Sequence, residues 1–311
     1  MRRLDEPAGE TMTAGDGRQA YTYALWSSLA FATMGALSHL AGERCDWRYV
    51  AAARTSLAFV FSLALAVSTG ARLVLLRPAV LWMRSLAGSV GLLCAFYALT
   101  HLPVSTSLAL SNTVPVWVTL LAWPTLGQRP TAGVWLAVAA GLAGIVLMQK
   151  PDLSGGTLAG LLAAFSAFCT ACAMIGLNRL GGVDARAVVA HFSGVSTVFA
   201  LTFLFATGGG ATAEPPRGWA TFALLGAVGL AGTVGQIFMT KAFAAGSPPR
   251  VSVVGLTQIV FALVFDLVLW RRALDAATVI GIALVVAPSA WLMLHAPLRI
   301  RKDAAIHTTA T

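Results

Sequence analysis

The chain has 311 residues, of which 58% are hydrophobic and only 11% charged, with a formal net charge of +9. Soluble domains carry about 25% charged residues, so a soluble helical bundle is excluded. The basic residues are scattered at segment ends instead of gathering into a patch interleaved with aromatics, which excludes a nucleic-acid partner.

Charge-free stretches recur down the chain, and about 20 apolar residues cross a bilayer core as a helix. Residues 1–20 read as a polar N-terminal tail without a secretory signal. The pattern then predicts ten spans, at roughly 21–41, 48–69, 79–100, 103–124, 131–149, 156–178, 186–207, 218–241, 248–270 and 276–295. The uncharged stretch from Ser85 to Gln128 is too long for one crossing and divides at His101-Leu102-Pro103, because a helix stops before proline and restarts with it. Loops are short except the one opening on Gly208-Gly209-Gly210, and residues 296–311 form a basic, then polar, C-terminal tail. With the N-terminus inside, fourteen Lys and Arg fall on the cytoplasmic side and seven outside. That bias puts both termini in the cytoplasm.

Leu86-Ala87-Gly88-Ser89-Val90-Gly91 returns as Leu230-Ala231-Gly232-Thr233-Val234-Gly235, in the third span of the first five and of the last five. The same offset pairs Ala98 with Ala242, Thr113 with Thr257 and Val116 with Val260, and a slightly different one sets Arg54 opposite His191. Five helices per half is an odd number, so the second half enters the membrane from the opposite face. The expected fold is all-α and polytopic: ten transmembrane helices in two inverted five-helix repeats, residues 21–149 and 156–295.

The chain resembles the ten-helix EamA-type permeases of the drug/metabolite transporter superfamily. The likeness is carried by Arg54-Thr55-Ser56-Leu57-Ala58, by the run from Arg84 to Gly91, by Phe96-Tyr97-Ala98-Leu99 leading into Leu102-Pro103, and by Leu126-Gly127-Gln128-Arg129. Family members commonly have Glu where Gln128 stands, and Trp270-Arg271-Arg272 replaces that loop motif in the second half, which argues against a charge-dependent gate there. The resemblance implies an inner-membrane carrier working by alternating access. It also implies a cavity lined by spans 1, 3, 4, 6, 8 and 9, with spans 5 and 10 peripheral.

Pro115 lies near the middle of span 4, where it removes a backbone hydrogen bond and frees a carbonyl around Ser111. Broken helices at that depth often line a substrate site. Asn112 and Thr113 flank it, and Thr257 and Gln258 occupy the matching depth of span 9, so these four are expected to bind substrate or to bond between helices. Gln236, directly after the repeated motif, joins them, as do Trp26 and Trp117, which either stack a flat substrate or pack. Gly88, Gly91, Gly232 and Gly235 are read as helix-packing residues. Gly226, Gly229, Gly232 and Gly235 make span 8 closely packed on more than one side, as a static contact or a sliding one.

Among charged residues, an Arg within a span costs about 2.5–3.5 kcal/mol, so Arg54, a candidate for coupling or gating, should snorkel, pair or face water, and its place near a helix start favours snorkelling. His191 reads as a packing histidine or a proton carrier. Asp266 reads as an interfacial partner of Arg271 or Arg272, or as a proton-coupling carboxylate. Arg84 and Lys241 read as cytoplasmic anchors that could also attract an anionic substrate. Cys169-Thr170-Ala171-Cys172 falls inside an apolar helix and is read as packing.

No phosphate loop, HExxH or nucleophile elbow occurs, so no enzyme activity, metal or cofactor is expected. The reading is a secondary active transporter of small organic metabolites, amino-acid-like, cofactor-like or xenobiotic, coupled to protons or exchange. Its partners are that solute, the lipid bilayer and a coupling proton, and a homodimer is compatible with the chain. The rivals are a membrane enzyme acting on lipid head groups, for which paired acids are missing, and a scaffold subunit, for which no docking domain exists.

Overall fold

The computed structural model describes residues 14–76, 78–102, 104–150, 157–206, 214–269 and 275–295. The tail before Ala14, Pro103, the Gly208-Gly209-Gly210 loop, Trp270-Arg271-Arg272 and the tail from residue 296 lie outside the described residues.

Among the described residues there are twelve helical segments and no strand. They are α1 (Ala14–Gly42), α2 (Trp47–Ser68), α3 (Ala79–His101), α4 (Val104–Ser111), α5 (Val114–Leu126) and α6 (Ala132–Gln149). Then follow α7 (Thr157–Arg179), α8 (Ala185–Ala206), α9 (Trp219–Ala245), α10 (Pro248–Gly255), α11 (Thr257–Leu269) and α12 (Ala276–Leu294). Seven stretches are long and apolar enough to cross a membrane: α2, α6, α7, α8, α9, α12 and the run Pro248–Leu269. α3 adds a shorter apolar run, Ala79–Ala95. The protein is a multi-pass membrane protein.

Local chemistry sets several ends. Asp46 caps α2 by accepting the Arg48 backbone N–H at 2.8 Å, and Asp275 caps α12 by accepting that of Thr278 at 2.9 Å. Gly127 ends α5 in the left-handed region at φ 66°, which glycine adopts without steric penalty.

Span 4 is not one kinked helix. The chain leaves α4 at Ser111, turns through Asn112 and Thr113, and restarts as α5 with Pro115 in its first turn. Proline fits there because a first-turn N–H has no intrahelical partner to lose. The turn tightens locally, with the Thr113 N–H on the Leu110 carbonyl at 3.1 Å and the Val116 N–H on that of Thr113 at 3.0 Å. A second break, between α10 and α11 at Leu256, has no proline at the break itself. The Leu256 N–H reaches the Val253 carbonyl at 3.0 Å and the Ile259 N–H reaches that of Leu256 at 3.1 Å.

The most extensive packing pairs α1 with α9, α3 with α7, α2 with α8, and α6 with α12. Without a hydrophobic drive between helices in lipid, such contacts depend on close van der Waals fit. Small residues supply it. A Cβ on Gly91 would lie 3.1 Å from the Ser166 carbonyl oxygen of α7, and one on Gly235 would lie 2.9 Å from the Phe31 ring of α1. On α6 and α12, a Cβ on Gly144 would come within 2.6 Å of the Gly281 carbonyl oxygen, and one on Gly281 within 2.7 Å of that of Gly144. Along α9, Gly229 meets Leu57 of α2 and Gly232 meets Met34 of α1, whereas Gly226 has open space beside it. The stripe therefore packs on two neighbours, as its winding implies.

One end of the bundle is sealed. Tyr21, Leu81, Val118, Leu177, Leu180, Phe243 and Val251 are buried together there. Asn178 donates to the carbonyls of Phe243 at 2.8 Å and Gly246 at 3.1 Å, and Arg179 donates to the Thr125 carbonyl. Ser247 donates to Gln128 Oε1 at 3.0 Å. The tie at Gln128 is a neutral hydrogen bond.

Candidate functional site: a cationic cavity between the helix breaks

A cavity of about 420 Å³ lies at the centre of the bundle. It is lined by α1, α3, α7, α9 and both helix breaks, with one side chain each from α2 (Arg54) and α8 (Phe192); α6 and α12 contribute none. The breaks present backbone and polar side chains to the interior: Ser111 and Asn112 on one, Gly255 and Gln258 on the other. Irregular backbone at this depth is tolerated where protein or a cavity surrounds it. Ser28 of α1 donates to the Gly255 carbonyl at 3.2 Å, satisfying a group the second break leaves free, and Ser27 donates to the Gly235 carbonyl at 2.9 Å.

Arg84 is the centre of the site. It is only 2% exposed, and its guanidinium lies 3.6 Å from the centroid of the Phe192 ring. A desolvated contact of this kind is worth about 2 kcal/mol. Its Nη2 donates to Gln236 Oε1 at 3.5 Å, the long limit of a hydrogen bond, while Nε and Nη1 have no partner among the described residues. The expectation of a cytoplasmic anchor is corrected. The side chain runs along its own helix toward Gly88, one turn further in, where a Cβ would sit 3.5 Å from Nη1. The missing Cβ also makes room for Phe192, whose Cε2 would otherwise be 2.8 Å away.

Arg54 is corrected in the same way. Its side chain turns into the cavity rather than snorkelling, and it passes Gly232 of α9, whose Cβ would stand 3.8 Å from its Cγ and 3.9 Å from its Nε. Gly88 and Gly232, the third residues of the two motif copies, thus each lie beside an arginine. No lining residue is acidic, and among the described residues no carboxylate forms an ion pair with either arginine.

The other residues singled out from the sequence divide sharply. Asn112, Pro115, Gln236 and Gln258 line the cavity together with Arg54, Gly88 and Gly91. Thr113 and Thr257 do not; each turns its hydroxyl back across its helix break, to the carbonyls of Leu110 and Val254, both at 2.7 Å. Trp26 is 54% exposed on the outer face, because it lies on the opposite side of α1 from Ser28. Trp117 stacks edge-on against Phe168 at 5.5 Å, outside the cavity.

His191 is buried behind the cavity. Its Nδ1 bonds Ser85 Oγ at 2.8 Å, and its ring meets Trp82 edge-on at 4.6 Å. It is therefore joined to the site through Ser85, the neighbour of Arg84. Asp266 is half-buried on α11 away from the cavity, and the Arg271 and Arg272 assigned to it lie outside the described residues. Cys169 and Cys172 are free thiols within α7. Among the described residues no three His, Cys, Asp or Glu side chains group to hold a metal.

Reasoning from sequence alone missed the inward turn of Arg84 and the part played by Phe192. The i, i+4 spacing of Arg84 and Gly88 was the available signal, since a glycine one turn ahead lets a long cation lie along its own helix.

A multi-pass bundle with a largely apolar cavity at paired helix breaks has the architecture of a membrane transporter. The EamA-like transporter family pattern matches residues 18–149 and again 155–294, so the chain belongs to that family. It is 26% identical to the pseudopaline exporter CntI of Pseudomonas aeruginosa, over 85% of this chain and 92% of that one. It is 25% identical to the riboflavin transporter of Rhizobium johnstonii, over 95% of this chain and 98% of that one. A crystal structure 19% identical superposes with a TM-score of 0.75, covering 89% of this chain and 97% of its own. That superposition is evidence for a shared fold.

Proposed function

We propose that this protein is a secondary active transporter that moves small organic metabolites across the inner membrane by alternating access. Ten spans, counting α4–α5 and α10–α11 as one each, form two inverted halves, residues 21–149 and 156–295, with both termini cytoplasmic. The observation that carries this reading is the cavity itself, bounded by one helix break from each half. The packing pairs support the inversion: α1 on α9 and α3 on α7 exchange roles under a two-fold relation, and α2 on α8 and α6 on α12 map onto themselves. The match of one family pattern to each half supports the repeat.

The central cavity is the substrate site, with Asn112, Gln236 and Gln258 as its polar contacts. The sealed end, tied by Asn178 and Ser247, closes one side while the other admits solute. Movement is driven by proton coupling or exchange, with His191, hydrogen-bonded to Ser85 beside Arg84, as a candidate proton carrier. Two relatives named for metabolite transport, a pseudopaline exporter and a riboflavin transporter, support a solute of that general class.

The test is flux into proteoliposomes with labelled amino acids and riboflavin, with and without an imposed proton or counter-solute gradient. Saturable, gradient-dependent flux reduced at least tenfold by Asn112→Ala or Gln258→Ala is the expected result. Flux unaltered in both variants would move the site out of this cavity.

A further inference from the structure

We propose that the cavity receives an organic anion, a small carboxylic acid with a largely apolar body, whose carboxylate is held by Arg84 and Arg54. This deepens the transporter reading and rests on it. The first ground is charge. Two guanidiniums line one chamber, and none of its lining residues among those described is acidic. A buried charge without a counter-charge is costly in any low-dielectric interior, and a protein retains one where a ligand supplies the opposite sign.

The second ground is unmet hydrogen bonding. Arg84 is 2% exposed, and among the described residues its Nε and Nη1 have no acceptor. Buried donors are nearly always paired, so these N–H groups mark a place built for an acceptor. Phe192 covers one face of the guanidinium at 3.6 Å, which fixes its plane and leaves its edges as the binding surface. Edge-on donation is the geometry in which guanidinium recognises a carboxylate.

The third ground is the placing of the second cation. Gln236 of α9 touches Arg84, and Gly232, one turn earlier on the same helix, borders Arg54. The two cations therefore flank one face of α9, about 6 Å apart along its axis at the level of those contacts. Gln236, also on the lining, adds an amide beside them. The rest of the wall sets the body of the solute. Phe31, Leu92, Met174, Leu177 and Met239 are apolar, and the hydroxyls of Ser27 and Ser28 are engaged with carbonyls. A volume of about 420 Å³ lies at the small end of the roughly 300–1,000 Å³ typical of ligand pockets. That suits an acid of amino-acid or aromatic-acid size.

The experiment uses the full chain purified in detergent and measures thermal stabilisation by acid and amide pairs. The probes are acetate and acetamide, benzoate and benzamide, and succinate and succinamide, with inorganic phosphate and phenyl phosphate as a separate arm. The expected result is that at least one acid stabilises the protein while its amide does not, and that phosphates do so more weakly. Arg84→Gln and, separately, Arg54→Gln should weaken that acid at least roughly 30-fold. Arg54→Gln keeps the proposal testable if the Arg84 variant does not fold, as judged by size-exclusion profile. No preference for any acid over its amide, wild-type affinity in a folded variant, or stronger stabilisation by phosphates would each overturn the carboxylate assignment. Neutral riboflavin flux that persists in the arginine variants would leave the transporter reading standing, whereas absence of flux for every solute would remove that reading instead.

Discussion

Gly88→Ala tests the seating of Arg84 directly. A Cβ at this position would lie 2.8 Å from Phe192 Cε2, against about 3.5–4.0 Å for a comfortable carbon contact. The ring must retreat by roughly 0.7–1.2 Å, yet it is 8% exposed and the guanidinium lies 3.6 Å from its centroid. Overpacking of this kind costs about 1–3 kcal/mol, and displacing the ring forfeits part of a cation–π contact worth about 2 kcal/mol. Replacing a helical glycine with alanine returns about 1 kcal/mol, so the net loss is about 1–3 kcal/mol. Gly226→Ala is the matched control, because a Cβ there has nothing within 4 Å. The assay is thermal unfolding in detergent alongside proteoliposome flux. Gly88→Ala should lower the melting temperature and the flux while Gly226→Ala leaves both equal to or above wild type. Equal behaviour of the two variants would refute the idea that Gly88 exists to seat the Phe192–Arg84 pair.

Three further outcomes follow from the same contacts. Gly144→Ala drives a Cβ to 2.6 Å from the backbone oxygen of Gly281, so it should destabilise the α6–α12 contact by about 1–3 kcal/mol, read as a lower melting temperature. Ser28→Ala strips the Gly255 carbonyl of its donor and should cost about 1–3 kcal/mol, whereas Ser28→Thr, which keeps the hydroxyl, should cost less. At the membrane edge, Lys150 and Thr278 hold the Asp275 carboxyl well below its ordinary value of 3.8. A carboxyl whose pKa falls on folding contributes stability that is present above the ordinary value and is lost as pH drops below it. Asp275→Asn should therefore flatten the loss of thermal stability between pH 5 and roughly pH 3. An unchanged acid limb would show that this exposed pair adds nothing.

Much of this architecture was readable from the chain because lipid imposes few options. Long charge-free stretches require helices, and Pro115 announced that span 4 could not run unbroken. The copied motif at residues 86–91 and 230–235 marked two of the four helices that line the cavity, α3 and α9. What stayed hidden were properties that arise only between helices. Arg84 stands close to the start of α3, where sequence position suggests an interfacial anchor; its inward course depends on Phe192 from α8 and Gln236 from α9. The break at Leu256 carries no proline and is supported by Ser28, more than 200 residues away in the chain. Thr113 and Thr257 have the right depth for a site, but their hydroxyls prefer the carbonyl one turn back, a local choice that spacing does not reveal. Trp26 and Ser28 are two residues apart on α1 and so face nearly opposite ways, and only the packing of α1 on α9 decides which looks inward.

The central claim is that solute crosses through this one chamber, opened in turn to either face. It is tested most directly by replacing the four native cysteines, Cys45, Cys94, Cys169 and Cys172, introducing Asn112→Cys, and labelling with a membrane-impermeant maleimide in right-side-out and inside-out vesicles. The account predicts labelling from both faces, slowed by transported solute on each. Labelling confined to one face under all gradients would contradict it.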